Sequence, residues 1–463
     1  MSEQKSDKKM SVTQLTMIVA VNMMGSGIIM LPANMAQVGA ISLLSWLITA
    51  VGSMAIAYGF AQAGVFDRKA GGMPAYAEQS HGRSGSFMVS YLYYISLAIA
   101  NVAIAIAALG YIAPFFPWLN SSPMAIVIGV IGLIWLTTAA NMGGPKVTGR
   151  IGTFTVWGVI IPVAGLSIIG WFWFSTETFV QGWNPGGLTL AEGLGSSITL
   201  TLWAFLGMES AAQSAGAVEN PRKNVPLACM LGTAGAAVIY ILSTSVIMGI
   251  VPNAELANST SPFGLVYTQM FSPIVGSIVM ALAATACVGS LLGWQFTISQ
   301  SGKLAADAGM FPAFLGKVNK MGAPVVGMIL IGIVQTLFAF SSASASLTEQ
   351  FAVLVDLSVV TNVIPYIMAL TGLMVMMRKE EVTKNIFIRN SLVVSVAVLY
   401  SIYALYASGA SAVVDGILIM MLGYLIYGFM SPKFEVKGNT SAKANPKSKS
   451  EKKSKSTEQK DAS

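Results

Sequence analysis

Apolar stretches of about twenty residues recur along this chain, and no other feature constrains its fold as much. They fall at roughly 12–32, 40–63, 86–113, 123–142, 151–174, 194–216, 227–251, 272–299, 325–345, 351–377, 390–408 and 412–431. A hydrocarbon core takes roughly 20 apolar residues per helix. Inside it each backbone amide must pair within its own segment, which leaves the helix as the spanning form. The expected fold is an all-α membrane protein of about twelve transmembrane helices. Charged residues make up 10% of the 463-residue chain. Soluble domains carry roughly 25%, so the polar surface needed to face water on all sides is missing. The first apolar run is interrupted and lacks a small-residue cleavage site, so it reads as a retained span.

The connections alternate in charge. One set carries Lys5, Lys8 and Lys9, then Arg68, Lys69 and Arg83, Lys146 and Arg150, Arg222 and Lys223. The same set continues with Lys303, Lys317 and Lys320, Arg378, Lys379, Lys384 and Arg389, and the tail from Lys433. These hold all 26 basic residues, and the intervening connections hold none. Positive loops stay in the cytoplasm, so both termini are expected there. The net charge of +7 comes from loops and tail, which argues against nucleic acid as a partner. The tail from about Gly438 is Lys/Ser-rich and is expected to be disordered. Cys229 and Cys287 lie in apolar stretches and His81 is the only histidine. No disulfide framework, metal cluster or cofactor site is therefore expected, and no nucleophile–base pair suggests an enzyme.

Two spans contain breaks. The first holds Asn22-Met23-Met24-Gly25-Ser26-Gly27, and the sixth holds Trp203-Ala204-Phe205-Leu206-Gly207-Met208-Glu209. Irregular backbone at membrane depth is tolerated where it lines a cavity or is buried in protein. After the first break a half-helix would present amides to a carboxylate. Before the second, a half-helix would present bare carbonyls to an ammonium group. Matched interruptions in two halves of a transporter point to its binding site, although glycine also serves close helix packing.

Glu209 and Asp356 are the acids well inside the spans. A charged carboxylate there costs a few kcal/mol and faces protein, water or a partner. Glu209 beside a break suits a proton switch or a cation contact. Asp356 reads as a contact for a distal ammonium or as a structural acid. Trp203 and Trp294 sit deep in their spans, where an indole face attracts alkylammonium or simply packs. Ser96 and Asn101 offer hydrogen bonds to a ligand or between helices.

With these residues together, the chain resembles the basic amino acid/polyamine antiporters of the amino acid–polyamine–organocation superfamily. The likeness runs from about Lys8 to Lys437. It rests on Val21 to Gly27, Gly71-Gly72-Met73, Tyr76-Ala77-Glu78, Leu202 to Gly207 with Glu209-Ser210, and Val218 to Pro221 with Asn224-Val225-Pro226. Gly289 to Phe296 and Ser431 to Glu435 complete it. The resemblance implies a cytoplasmic N-terminus (1–11) and a ten-helix core (12–377) built as a five-plus-five inverted repeat with discontinuous helices 1 and 6. Two further helices (378–431) and a basic cytoplasmic tail (432–463) would follow. It implies a homodimer in a bacterial inner membrane that exchanges a cationic amino acid for its decarboxylated amine, in the putrescine/ornithine manner. Uptake of the amine would be driven by the proton or membrane potential. Lysine:cadaverine or arginine:agmatine exchange and one-way proton-coupled uptake are the alternatives.

Carried over residue by residue, the resemblance sets the substrate carboxylate on Ser26 and Gly27 beside Asn22, and the aliphatic chain along Trp203 and Trp294. It makes Glu209 the proton-linked acid. Glu78, Tyr93, Tyr427 and Glu435 match residues tied to putrescine recognition or transport, and Ser358 matches a polar site residue. Two positions depart from the pattern: Ala63 stands where a cysteine is expected, and Asp356 where an asparagine is expected.

Overall fold

The computed structural model describes residues 11–25, 27–67, 72–209, 218–343 and 346–443. Among them every regular element is a helix and no strand occurs. Chain order begins with α1 (Val12–Met23), α2 (Gly27–Val38), α3 (Leu43–Phe66), α4 (Gly72–Ile112), α5 (Pro123–Asn141), α6 (Pro145–Thr155) and α7 (Trp157–Ile169). It continues with α8 (Thr176–Gln181), α9 (Leu190–Ala204), α10 (Pro221–Ile250), α11 (Asn253–Ala257), α12 (Pro262–Met270) and α13 (Pro273–Asp307). It ends with α14 (Val325–Ser341), α15 (Leu347–Lys379), α16 (Lys384–Ala407) and α17 (Gly409–Lys443).

Nine helical segments in the described residues are long and apolar enough to cross a bilayer. The remaining expected spans are the two interrupted ones and α14, a shorter apolar helix. Large apolar side chains such as Ile168, Phe172, Leu399, Leu425 and Phe429 are exposed. A surface of that kind suits lipid rather than water.

Local chemistry sets the helix ends. Ser11 with Gln14 and Thr189 with Glu192 form capping boxes at the starts of α1 and α9. Each pair satisfies two of the amides that a helix start leaves over. Ser122 and Ser272 cap α5 and α13 ahead of a proline in the first turn, where its missing N–H costs nothing. Two boundaries differ from the sequence expectation. The span expected from 86 belongs to a helix that begins at Gly72 and kinks at Gly82, whose φ of 66° suits glycine. The last helix runs to Lys443, past the boundary expected near Gly438. Residues 444–463 of the tail lie outside the described set.

The site is positioned by a few long packings. α4 lies along α15 and α13, α10 lies against α1 and α3, and α9 lies between α3 and α15. Gly372 of α15 makes the first of these possible, because a Cβ there would sit 1.9 Å from the Tyr76 carbonyl oxygen. A buried amide cluster ties four helices. Gln295 Nε2 donates to Gln335 Oε1 at 2.6 Å and Gln335 Nε2 donates back to Gln295 Oε1 at 3.0 Å. Asn101 Nδ2 donates to the same Gln295 oxygen at 3.1 Å, and Gln295 Nε2 also reaches Thr138 Oγ1 at 3.4 Å.

Candidate functional site

Both expected breaks are present and they face each other. α1 stops at Met23 and α2 starts at Gly27. Ser26, expected to hold a carboxylate, lies outside the described residues. α9 stops at Ala204 and the chain turns through residues 205–209. Gly207 has φ +104°, and a Cβ there would lie 3.2 Å from the Asn22 carbonyl oxygen. A Cβ on Gly27 would lie 3.5 Å from both Trp203 and the Ala204 backbone. Glycine at 207 therefore lets one broken segment rest on the other, while a side chain at 27 would meet only ordinary contact.

One expectation about this region fails. The end of α9 does not offer a row of bare carbonyls. The oxygen of Leu202 accepts from the Phe205 amide at 2.9 Å and that of Trp203 from the Leu206 amide at 3.2 Å. The oxygen of Ala204 accepts from Tyr240 Oη at 3.1 Å. Tight turns and a buried hydroxyl satisfy the helix end, as buried carbonyls demand.

The acid at the break is Glu209, which is buried. Tyr93 Oη of α4 donates to its Oε1 at 2.9 Å. Tyr366 Oη of α15 donates to its Oε2 at 2.8 Å, and the Gly207 amide donates to the same oxygen at 3.1 Å. Both oxygens of the side chain thus accept from donors fixed on three different elements. These partners are neutral, so the acid remains able to meet a cation.

Two cavities meet at this point. The larger, about 430 Å³, is walled by α1, α4, α6, α7 and α13 and reaches Asn22, Gly25, Tyr93, Glu209 and Trp294. The smaller, about 40 Å³, shares Asn22, Gly25, Glu209 and Trp294 and extends to Gly27, Trp203, Leu206 and Asn362. Trp294 would touch a Cβ on Gly207 at 3.5 Å, and Trp203 packs edge-on to Phe351 with ring centroids 5.1 Å apart. Aromatic faces and an acid, with the hydroxyls of Thr155, Ser290 and Thr297 in the larger cavity, make a lining for an alkylammonium.

Of the residues singled out from sequence, Asn22, Gly27, Tyr93, Trp203, Glu209 and Trp294 come together around these cavities. The others lie elsewhere. Asn101 is buried with its Nδ2 donating to Gln295 and lines neither cavity. Ser96 Oγ donates to the Ser358 carbonyl at 3.1 Å and so joins α4 to α15. Asp356 is hydrogen-bonded with Thr199 of α9 and lines neither cavity. Glu78 is exposed on α4 before the Gly82 kink. Tyr427 packs on Phe87 at 5.2 Å, away from the cavities. Glu435 falls on the backbone of α17, and its side chain is outside the described set. Ala63 is buried in α3 and lines neither cavity.

Sequence reasoning missed Tyr366 and Asn362. With Ser358 they are spaced four residues apart on α15, and a spacing of four keeps side chains on one helix face. That polar stripe within an apolar span was the available signal. No group of three or more metal-ligating side chains converges among the described residues, and Cys229 and Cys287 are buried thiols.

Comparison with known proteins places the chain in a family. Residues 10–428 match the amino acid permease family. The chain is 54% identical to the putrescine transporter PotE of Haemophilus influenzae over 429 residues, which is 93% of this chain and 98% of that protein. It is also 54% identical to the PotE putrescine transporter of Escherichia coli K12 over 437 residues, 94% and 99% of the two chains. The cadaverine/lysine antiporter of Escherichia coli K12 is 37% identical over 366 residues, 78% of this chain and 82% of that one. With matches that run through both broken helices and nearly the whole chain, this multi-pass membrane protein belongs to the amino acid permease family.

Proposed function

We propose that the chain is a secondary transporter that exchanges a cationic amino acid for its decarboxylated amine, with putrescine and ornithine as the pair. The observation that carries the reading is Glu209, a buried acid whose donors are two tyrosines and an amide, set where two tryptophan-lined cavities meet. Such an acid favours an arriving ammonium. The first turn of α2 at Gly27 supplies the positive end of a helix dipole for an amino acid carboxylate, while a diamine needs no such seat. The identity to putrescine transporters supports the same substrate class.

The reading extends to architecture. Ten of the twelve crossings, with α1–α2 and the α9 turn as discontinuous helices 1 and 6, form a core of inverted repeats over 12–377, and residues 378–431 hold the other two. Both termini are cytoplasmic in a bacterial inner membrane, and the protein works as a homodimer. The larger cavity is flanked by α6, whose start carries Lys146 and Arg150, so it opens toward the cytoplasm under the positive-inside rule.

The test is counterflow in proteoliposomes. Internal ornithine should accelerate entry of labelled putrescine, and lysine with cadaverine and arginine with agmatine should serve less well. Entry indifferent to internal amino acid would make the protein a one-way permease. Glu209→Gln should abolish or badly impair exchange with the protein still inserted. Unaltered exchange in that variant removes Glu209 from the mechanism.

A further inference from the structure

Among the buried polar atoms without a hydrogen-bond partner is Asn362 Oδ1 on α15. The residue is 1% exposed, so the orphan is not satisfied by open solvent. Its side chain lines the smaller cavity together with Gly27, Trp203, Glu209 and Trp294. A buried carbonyl oxygen left unpaired is costly, and folded proteins retain few of them without a reason.

Its neighbours on α15 supply the context. Ser358 Oγ, one turn away, is also buried without a partner. Tyr366, one turn the other way, donates to Glu209. The stripe Ser358–Asn362–Tyr366 thus leads along one helix face to the acid. The smaller cavity of about 40 Å³ has room for roughly three waters, or for an amine head with the first of its methylenes. Apart from Asn22, its other walls are aromatic and aliphatic, with Leu97, Ala100, Ile104 and Leu206. A side-chain carbonyl can only accept, so the group that satisfies it must be a donor. The carbonyls at the end of α9 are already paired. Asn362 Oδ1 is therefore an unpaired neutral acceptor in the cavity that Glu209 also lines.

We propose that Asn362 is a specificity-determining residue that accepts a hydrogen bond from the substrate ammonium, with Glu209 supplying the charge and Trp203 and Trp294 the aromatic walls. The assignment rests on the transport reading given above and names a contact within that site. A primary ammonium offers N–H donors to Oδ1, Glu209 and water together. A quaternary amine of the same charge offers none, so Asn362 distinguishes the two.

The experiment measures putrescine binding to purified, detergent-solubilised full-length protein, with melting temperature recorded in parallel. Asn362→Leu keeps the bulk and removes the acceptor, and should weaken putrescine binding by about tenfold to a hundredfold, the range for a hydrogen bond to a charged group. The same change should leave the melting temperature unaltered or raised, because an orphaned polar atom has gone. Asn362→Asp keeps an acceptor and should retain binding. A residue that only packs would show the opposite pattern, with putrescine affinity held within twofold in Asn362→Leu, and that result overturns the proposal. Equal loss in the Leu and Asp variants also overturns it. If the unaltered protein binds no putrescine, the transport reading falls and takes this assignment with it. If it binds and the Leu variant binds equally, only this assignment falls.

Discussion

Removal of the Tyr366 hydroxyl tests the site at its most connected atom. Tyr366→Phe deletes the 2.8 Å hydrogen bond to Glu209 Oε2 and leaves the ring, which packs edge-on to Phe60 at 5.0 Å. A hydrogen bond to a charged group is worth about 1.5–3 kcal/mol. Glu209 keeps Tyr93 and the Gly207 amide, so the acid is weakened in place rather than cast loose. The bond joins α15 to the turn after α9, and a conformation in which those elements separate would lose it. The loss therefore falls on the arrangement seen here and shifts the balance between arrangements by about tenfold to a hundredfold. Putrescine counterflow into ornithine-loaded proteoliposomes, at matched protein content, should fall by about that factor. Tyr93→Phe should act in the same direction. Because both tyrosines share one carboxylate, the double variant should depart from the sum of the singles by at least about 0.5 kcal/mol. Exchange within twofold of the unaltered rate in Tyr366→Phe would refute the reasoning, since a bond that matters to no step cannot bias the cycle.

Gly207→Ala places a Cβ 3.2 Å from the Asn22 carbonyl at φ +104°. Strain of about 1–3 kcal/mol should lower the melting temperature and reduce exchange, and a variant with unchanged melting would show that the two breaks are not in close contact. Gln335→Leu takes one member from the reciprocal amide pair and leaves Gln295 short of a partner. A cost of about 1–3 kcal/mol should appear in thermal melting, with putrescine affinity held within twofold. Asp356→Asn should leave the order of preference among putrescine, cadaverine and agmatine unchanged, because Asp356 bonds Thr199 and lines neither cavity. An altered order in uptake competition would return Asp356 to the distal amine.

The breaks were legible because glycine and serine interrupt runs that are otherwise apolar, and the bilayer gives such interruptions few meanings. Glu209 was legible for the same reason, as an acid at a depth where acids are costly. What the sequence hid was which helices adjoin. Asn101 could serve a ligand or a neighbouring helix, and only the packing of α13 sets Gln295 against it. Tyr366 and Asn362 carried a helix-period signal, yet nothing in the sequence says that this face of α15 meets the turn after α9. The carbonyls of Leu202, Trp203 and Ala204 looked available because a broken helix ends in unpaired groups. The actual turn is tight enough to recruit the amides of Phe205 and Leu206, and Tyr240 arrives from α10.

That last correction bears on why the proposed activity is exchange rather than uptake alone. Carbonyl dipoles at a helix end would attract an ammonium without carrying a charge of their own, and a site built from them could return empty at little cost. Glu209 is different. Its partners are neutral hydroxyls and an amide, so a rearrangement that strips those donors away leaves a buried acid in need of a cation, whether an ammonium or a proton. An ammonium neutralises it, whether it belongs to the amine or to the amino acid. The loaded site can then rearrange in either direction while an empty, ionised one is held back by the cost of a bare charge at membrane depth. On the proposed exchange reading, one acid serving both substrates in turn is enough to couple them, with no second binding site required.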